Sequence, residues 1–277
     1  MESYSLDNFR RWFDSYTSRF FGADECINAH LQMKQEHTGR TCTEILELAE
    51  RLALDNRQKQ IAEIVALFHD VGRFPQFAEY RTFNDARSID HSHLGVEILR
   101  REGVLDVLRR EERQWVETAI EHHGRKLLPT HLNGQALLFA KLIRDADKLD
   151  IYRVVIRVYR QYRADPAAFP WDLERPDEPG YSTEVLDAAM KGTPVEYSLL
   201  HSLNDMMLCK LGWVHDMNFA AALARLRELG FLEQVLSFLP ATPEIERLGE
   251  KTLSYVDARI QSVPTGRSVQ VSHGSDS

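Results

Sequence analysis

The sequence predicts an all-α fold. Apolar residues recur with a period of 3.6 in one segment after another, and no segment shows the two-residue alternation of a half-buried strand. No internal repeat interrupts the series. At 277 residues, 43% hydrophobic and 27% charged, the chain can bury a large core. A formal net charge of -8 argues against a general binder of nucleic acid or of anionic membranes. The three cysteines, Cys26, Cys42 and Cys209, are too scattered for a disulfide framework or a thiolate metal site. The first residues lack the basic start and apolar run of a signal peptide, and no apolar stretch nears the roughly 20 residues of a membrane span. A cytoplasmic location is therefore expected.

Taken in order, Phe9, Trp12, Phe13, Tyr16 and Phe20 predict an amphipathic helix over 6–21. Cys42, Ile45, Leu46, Ala49, Leu52 and Ala53 predict a second over 41–54, with His37 at or just before its start. A third, over 57–71, puts Ile61, Ile64, Val65 and Phe68 on one stripe and delivers His69 and Asp70 at its end, where Gly72 terminates it. Residues 73–90, with Pro75 and several polar side chains, read as a loop beside the site. Asp90 is a fitting N-cap for a helix over 91–101, on which His91, Gly95 and Ile98 share a face. The next helix, 111–123, aligns Val116, Ala119, Ile120 and His123 and ends in His122-His123-Gly124.

A long helix over 135–162 places Asp147 on one stripe with Ala140, Ile143 and Ile151, so its carboxylate faces the apolar side and needs a cation. Residues 163–182, rich in Pro, Asp and Glu, read as a connector. Helical patterns return over 183–191, 195–212, 217–238 and 242–263, and the Ser/Gly-containing tail from Pro264 reads as disordered.

His37, His69, Asp70, His91, His122, His123 and Asp147 thus fall on five predicted helices or their ends. Histidine and carboxylate ligands without cysteine suit Mn, Fe, Co, Ni or Zn rather than a structural zinc finger. They exceed the needs of one ion, and Asp70 is the natural bridge between two.

This order of His37, His69-Asp70 and Asp147, with His91 and His122-His123 between, resembles the HD-domain superfamily of metal-dependent phosphohydrolases. The resemblance spans roughly residues 30–160 and includes Leu67-Phe68-His69-Asp70-Val71-Gly72-Arg73 and Asp147-Lys148-Leu149-Asp150. It implies an HD-type helical bundle as the metal-binding core of a single domain over 1–262, with the helices after 183 as a C-terminal extension. It also implies that His37, His69, Asp70 and Asp147 hold a first metal, and that Asp70 bridges to a second held by His91, His122 and His123. Of the doublet, His122 is preferred as ligand. Members that cleave cyclic dinucleotides carry Gly-Lys after the His-Asp pair and Gly-Tyr-Pro after the paired histidines. Here Gly72-Arg73 and Arg125-Lys126-Leu127 stand instead, so that activity is not expected. Met33, one turn before His37, excludes a carboxylate for a third metal.

The activity implied is hydrolysis of a phosphate ester, of a nucleotide or another small phosphorylated metabolite, by metal-activated water. The rival is an HD-type di-iron oxygenase on the same ligands, and a non-catalytic signalling module ranks last. Asp70, Arg73 and, in reserve, Lys148 are the candidate catalytic residues. Arg73 suits phosphate oxygens, with a salt bridge as the equal alternative. Arg144 and Asp150, three residues either side of Asp147, are placed to hydrogen-bond the ligands. The stripe Arg153, Arg157 and Arg160 reads as a solvated face. His30, His93, His131, His201, His215 and His273 read as ordinary surface or hydrogen-bonded histidines. The C-terminal helices could cover the site, set substrate size or form a homodimer surface; their amphipathic periodicity favours packing on the core.

Overall fold

The computed structural model describes residues 6–167 and 175–262. Among them are twelve α-helices, three short 3-10 turns and no strand, as the all-α expectation has it. The expected disordered tail lies outside the described residues.

The first half is built around two long helices. α1 (Leu6–Ser18) packs on α3 (Asn56–Phe68), and α2 (Glu25–Arg51) packs on both α3 and the 31-residue α7 (Gly134–Ala164). α4 (Arg73–Tyr80), α5 (His91–Arg101) and α6 (Arg110–His122) complete the bundle, with α6 seated on α3 and α7. The starts are fixed by side-chain caps. Asp24 accepts from the Ile27 amide, Asp55 forms a reciprocal capping box with Gln58, and Asp90 accepts from the amides of Ser92 and His93.

α2 begins sixteen residues earlier than its apolar period predicts, and His37 lies in its middle. The buried stripe of α2 is half polar, comprising Leu31, His37, Thr38, Thr41, Glu44, Ile45, Leu48 and Ala49, so hydrophobicity alone misses its first half. Residues 73–80 are helical, not loop. Pro75 stands in the first turn of α4, where a missing N–H costs no intrahelical bond.

The second half comprises α8 (Thr183–Lys191), α9 (Leu203–Gly212), α10 (Ala220–Glu228), α11 (Phe231–Leu236) and α12 (Pro243–Gln261). One helix was expected over 217–238. Gly230, at φ 61°, turns the chain between α10 and α11 instead. α10 and α11 pack on α7, and α10 also reaches α2. The buried apolar side chains of both halves join in one cluster. Buried Asp145 of α7 accepts from the Asn218 and Phe219 amides and from Asn218 Nδ2 at 2.8–3.0 Å, tying the start of α10 to the bundle. Glu44 of α2, also buried, joins Arg153 of α7 at 2.6 Å and Arg225 of α10 at 3.0 Å. The expected solvated arginine stripe is therefore partnered: Arg157 lies 3.6 Å from Glu36, and Arg160 donates to Gln234.

Candidate metal centre

Four histidines converge between α2, α3, α5, α6 and α7, and each has one ring nitrogen already engaged. His69 and His123 follow directly on the last residues of α3 and α6, where helix carbonyls lack amide partners. Each turns its Nδ1 back to a carbonyl three residues earlier, His69 to Ala66 and His123 to Ile120, both at 2.7 Å. His37 Nδ1 meets Asp150 Oδ2 and His91 Nδ1 meets Asp85 Oδ2, again at 2.7 Å. Carbonyls and carboxylates only accept, so Nδ1 carries the proton in the neutral rings and every Nε2 presents a lone pair inward.

The Nε2 atoms of His37 and His69 are buried with no partner of hydrogen-bond geometry. Two carboxylate oxygens face these nitrogens. Asp70 Oδ2 lies 3.7 Å from His37 Nε2 and 3.6 Å from His69 Nε2, and Asp147 Oδ1 lies 3.1 and 3.8 Å from the same two atoms. The other oxygen, Asp70 Oδ1, is 3.3 Å from His91 Nε2 and 3.7 Å from His123 Nε2, which are 3.1 Å apart. Ligands about 2.1 Å from a shared ion stand roughly 3.0–3.4 Å from one another, and these carboxylate–imidazole distances exceed that range by at most a few tenths of an ångström. The two sets share Asp70, one oxygen to each. Buried lone pairs and carboxylates without a cation are costly, and this donor set fits transition-metal ions.

Protonation supports the same reading. Burial lowers the pKa of His69 and of His91 to about 4, leaving both rings neutral near pH 7. His37 differs. Burial and Lys34 pull it down, but the close Asp147 and Asp150 carboxylates outweigh them and raise it. Asp70 is pushed up by burial yet held well below the usual carboxylate range by Lys34, His69, His123 and Arg73. Burial works to raise Asp85 as well, but its bond with His91 and the nearby Arg73 hold it at about 2.

Six of the seven expected ligands come together here, and His122 does not. It is absent from each group of atoms close enough to share an ion, whereas His123 belongs to two. The preference within the doublet is thus reversed by helical phase: His123 stands three residues past Ile120 on the buried face, and His122 is turned about 100° from it.

Arg73 and Lys148 are both engaged by carboxylates. Arg73 Nη1 donates to Asp85 Oδ1 at 2.7 Å, to the Phe83 carbonyl at 2.5 Å and to Gln76, while its Nε lies 3.4 Å from Asp70 Oδ1. It therefore links Asp70 to Asp85, which itself orients His91. Lys148, expected in reserve for substrate phosphate, instead pairs with Asp216 at 2.9 Å. Arg144 binds the same carboxylate and the carbonyls of His123, Arg125 and Lys126, holding the segment after α6.

Three partners escaped the sequence reading. Lys34 Nζ lies 2.7 Å from Asp70 Oδ2, Arg40 holds Asp150 at 2.7 Å, and Asp85 sits in the segment taken for a loop. Lys34 was detectable, being three residues before His37 on one helix face.

Helices here present histidines and carboxylates to a common buried centre that could bind metal ions. Residues 35–152 match the family model described as HD domain, a family that consists largely of metal-dependent hydrolases, and this segment is similar to it. Searches of curated proteins and of solved structures gave no match. No helix among the described residues is long and apolar enough to cross a membrane.

Proposed function

We propose that the protein hydrolyses a phosphate ester of a nucleotide or another small phosphorylated metabolite, using two metal ions. The observation that carries this is the division of the Asp70 carboxylate between two converging sets of imidazole nitrogens. His37, His69, Asp70 and Asp147 would hold one ion, and Asp70, His91 and His123 the other. Bound there, two ions supply Lewis-acid charge for the phosphoryl oxygens and make a water acidic enough to attack at neutral pH.

The chain's own groups do the rest. Asp150, Asp85 and two helix-end carbonyls fix the imidazole tautomers. Arg73 fixes Asp70. The centre is otherwise enclosed, and Lys34, Arg73 and Asp147, at 16–17% side-chain exposure, mark where solvent and substrate reach it. Such limited exposure of the ligands, on a chain of net charge -8, favours a small phosphorylated molecule over a polyanion.

The test is a panel of phosphomonoesters and phosphodiesters on metal-loaded protein. Release of phosphate or nucleotide, lost in His69→Ala, is expected. No turnover on the panel, together with oxygen uptake by reduced iron-loaded protein, would establish the oxygenase reading instead.

A further inference from the structure

Lys34 occupies a position that the metal-centre description leaves unexplained. Its ammonium lies 2.7 Å from Asp70 Oδ2, the oxygen that faces His37 and His69. It also lies 5.2 Å from the centroid of the Phe83 ring. The side chain is 17% exposed, and the residue falls one position outside the matched family segment. A cation on this oxygen satisfies a carboxylate that is otherwise buried among imidazoles and Arg73. The same ammonium would crowd a cation held by His37, His69 and Asp70. A four-carbon stem rooted on α2 can move its charge several ångströms without disturbing the helix.

We propose that Lys34 is an exchangeable cation: it neutralises Asp70 in the metal-free protein, and in the metal-loaded protein it is released to bind a phosphoryl group of the substrate. The phosphate half of this rests on the phosphohydrolase reading above, and the metal half does not. The Phe83 ring already flanks the ammonium where it meets Asp70, and a cation within about 6 Å of a ring centroid is attracted to it, so a short swing of the stem can keep that contact after Asp70 is given up. Lys34 would thus fill the role first assigned to Lys148, whose charge is spent on Asp216.

The two halves predict opposite signs for one substitution. Lys34→Met removes a competitor and a repelling charge, so divalent metal should bind more tightly, by roughly tenfold for an ion pair of about 1.4 kcal/mol. The metal-loaded variant should bind inorganic phosphate at least roughly tenfold more weakly, the scale of one lost charge-assisted hydrogen bond. Lys34→Arg should restore phosphate binding.

Titration calorimetry with Mn or Zn, then with inorganic phosphate on loaded protein, reads both. Tighter metal with weaker phosphate in Lys34→Met supports the proposal. Weakening of both, as a merely structural residue would give, overturns it, and so does phosphate affinity equal to the unsubstituted protein. If unsubstituted loaded protein binds no phosphate, the phosphohydrolase reading fails, and the metal titration alone then decides whether Lys34 competes for Asp70.

Discussion

Gly72→Ala should empty half of the metal centre without replacing any ligand. Gly72 has φ -68° and ψ -18°, a conformation open to any residue, so its glycine is not required by backbone strain. It is required by space. A Cβ there would lie 2.2 Å from the His91 carbonyl oxygen and 2.9 Å from the Gly95 amide nitrogen. Carbon and carbonyl oxygen ordinarily stay about 3.3 Å or more apart, so the start of α5 must retreat by about 1 Å. Metal–ligand distances tolerate only about 0.2 Å. His91 rides on the displaced backbone and would leave its set, whereas His37, His69 and Asp147 come from other helices. The obstacle is backbone on both counts, so the cost should reach the upper part of the overpacking range, about 2–3 kcal/mol. For a chain of this size that lowers Tm by roughly 5 °C or more. Elemental analysis should find about one ion per chain instead of two, and a scan should find the lower Tm. Unchanged metal content with an unchanged Tm would refute the reasoning.

Other outcomes follow from the same geometry. Gly39→Ala, on the exposed face of α2 with open space where the Cβ would go, should raise stability by up to about 1 kcal/mol, measured by urea unfolding. Asp145→Ala leaves the Asn218 and Phe219 donors unpaired and should cost about 2–4 kcal/mol by the same measurement, with an early loss of amide protection in α10. His122→Ala should leave the metal content unchanged, whereas His123→Ala should lower it, by elemental analysis. Metal-free protein should lose stability on acidification. His69 and His91 have folded pKa values of about 4 against 6.5 when free, so the unfolded chain binds more protons between those limits. Stability is therefore full above about 6.5 and falls by up to about 1.4 kcal/mol per pH unit for each histidine down to about 4. Bound metal should shift that loss to lower pH in thermal scans.

Where a cap or a clear apolar period marks an element, the sequence predicts it well: Asp90 starts α5, and residues 183–191 form α8 as expected. The shortfalls share one cause. Elements that build the centre spend core-facing positions on polar residues, so the first half of α2 shows no apolar stripe, and α4 looks like a loop because of Pro75 and its polar neighbours. Gly72 was read as a helix stop and proves to be a point of backbone contact with α5. The His122-His123 choice was legible after all. Val116, Ile120 and His123 lie on one helical face, and the phase of α6 points to His123 over the preferred His122. Asp70 as the shared carboxylate was proposed from ligand number alone, and the structure places its two oxygens toward separate pairs of histidines.

The central claim, two ions sharing Asp70, is tested most directly by counting metal in three proteins: the unsubstituted chain, His91→Ala and Asp70→Asn. About two, one and no ions per chain are expected. One ion in the unsubstituted chain that survives in His91→Ala would contradict it.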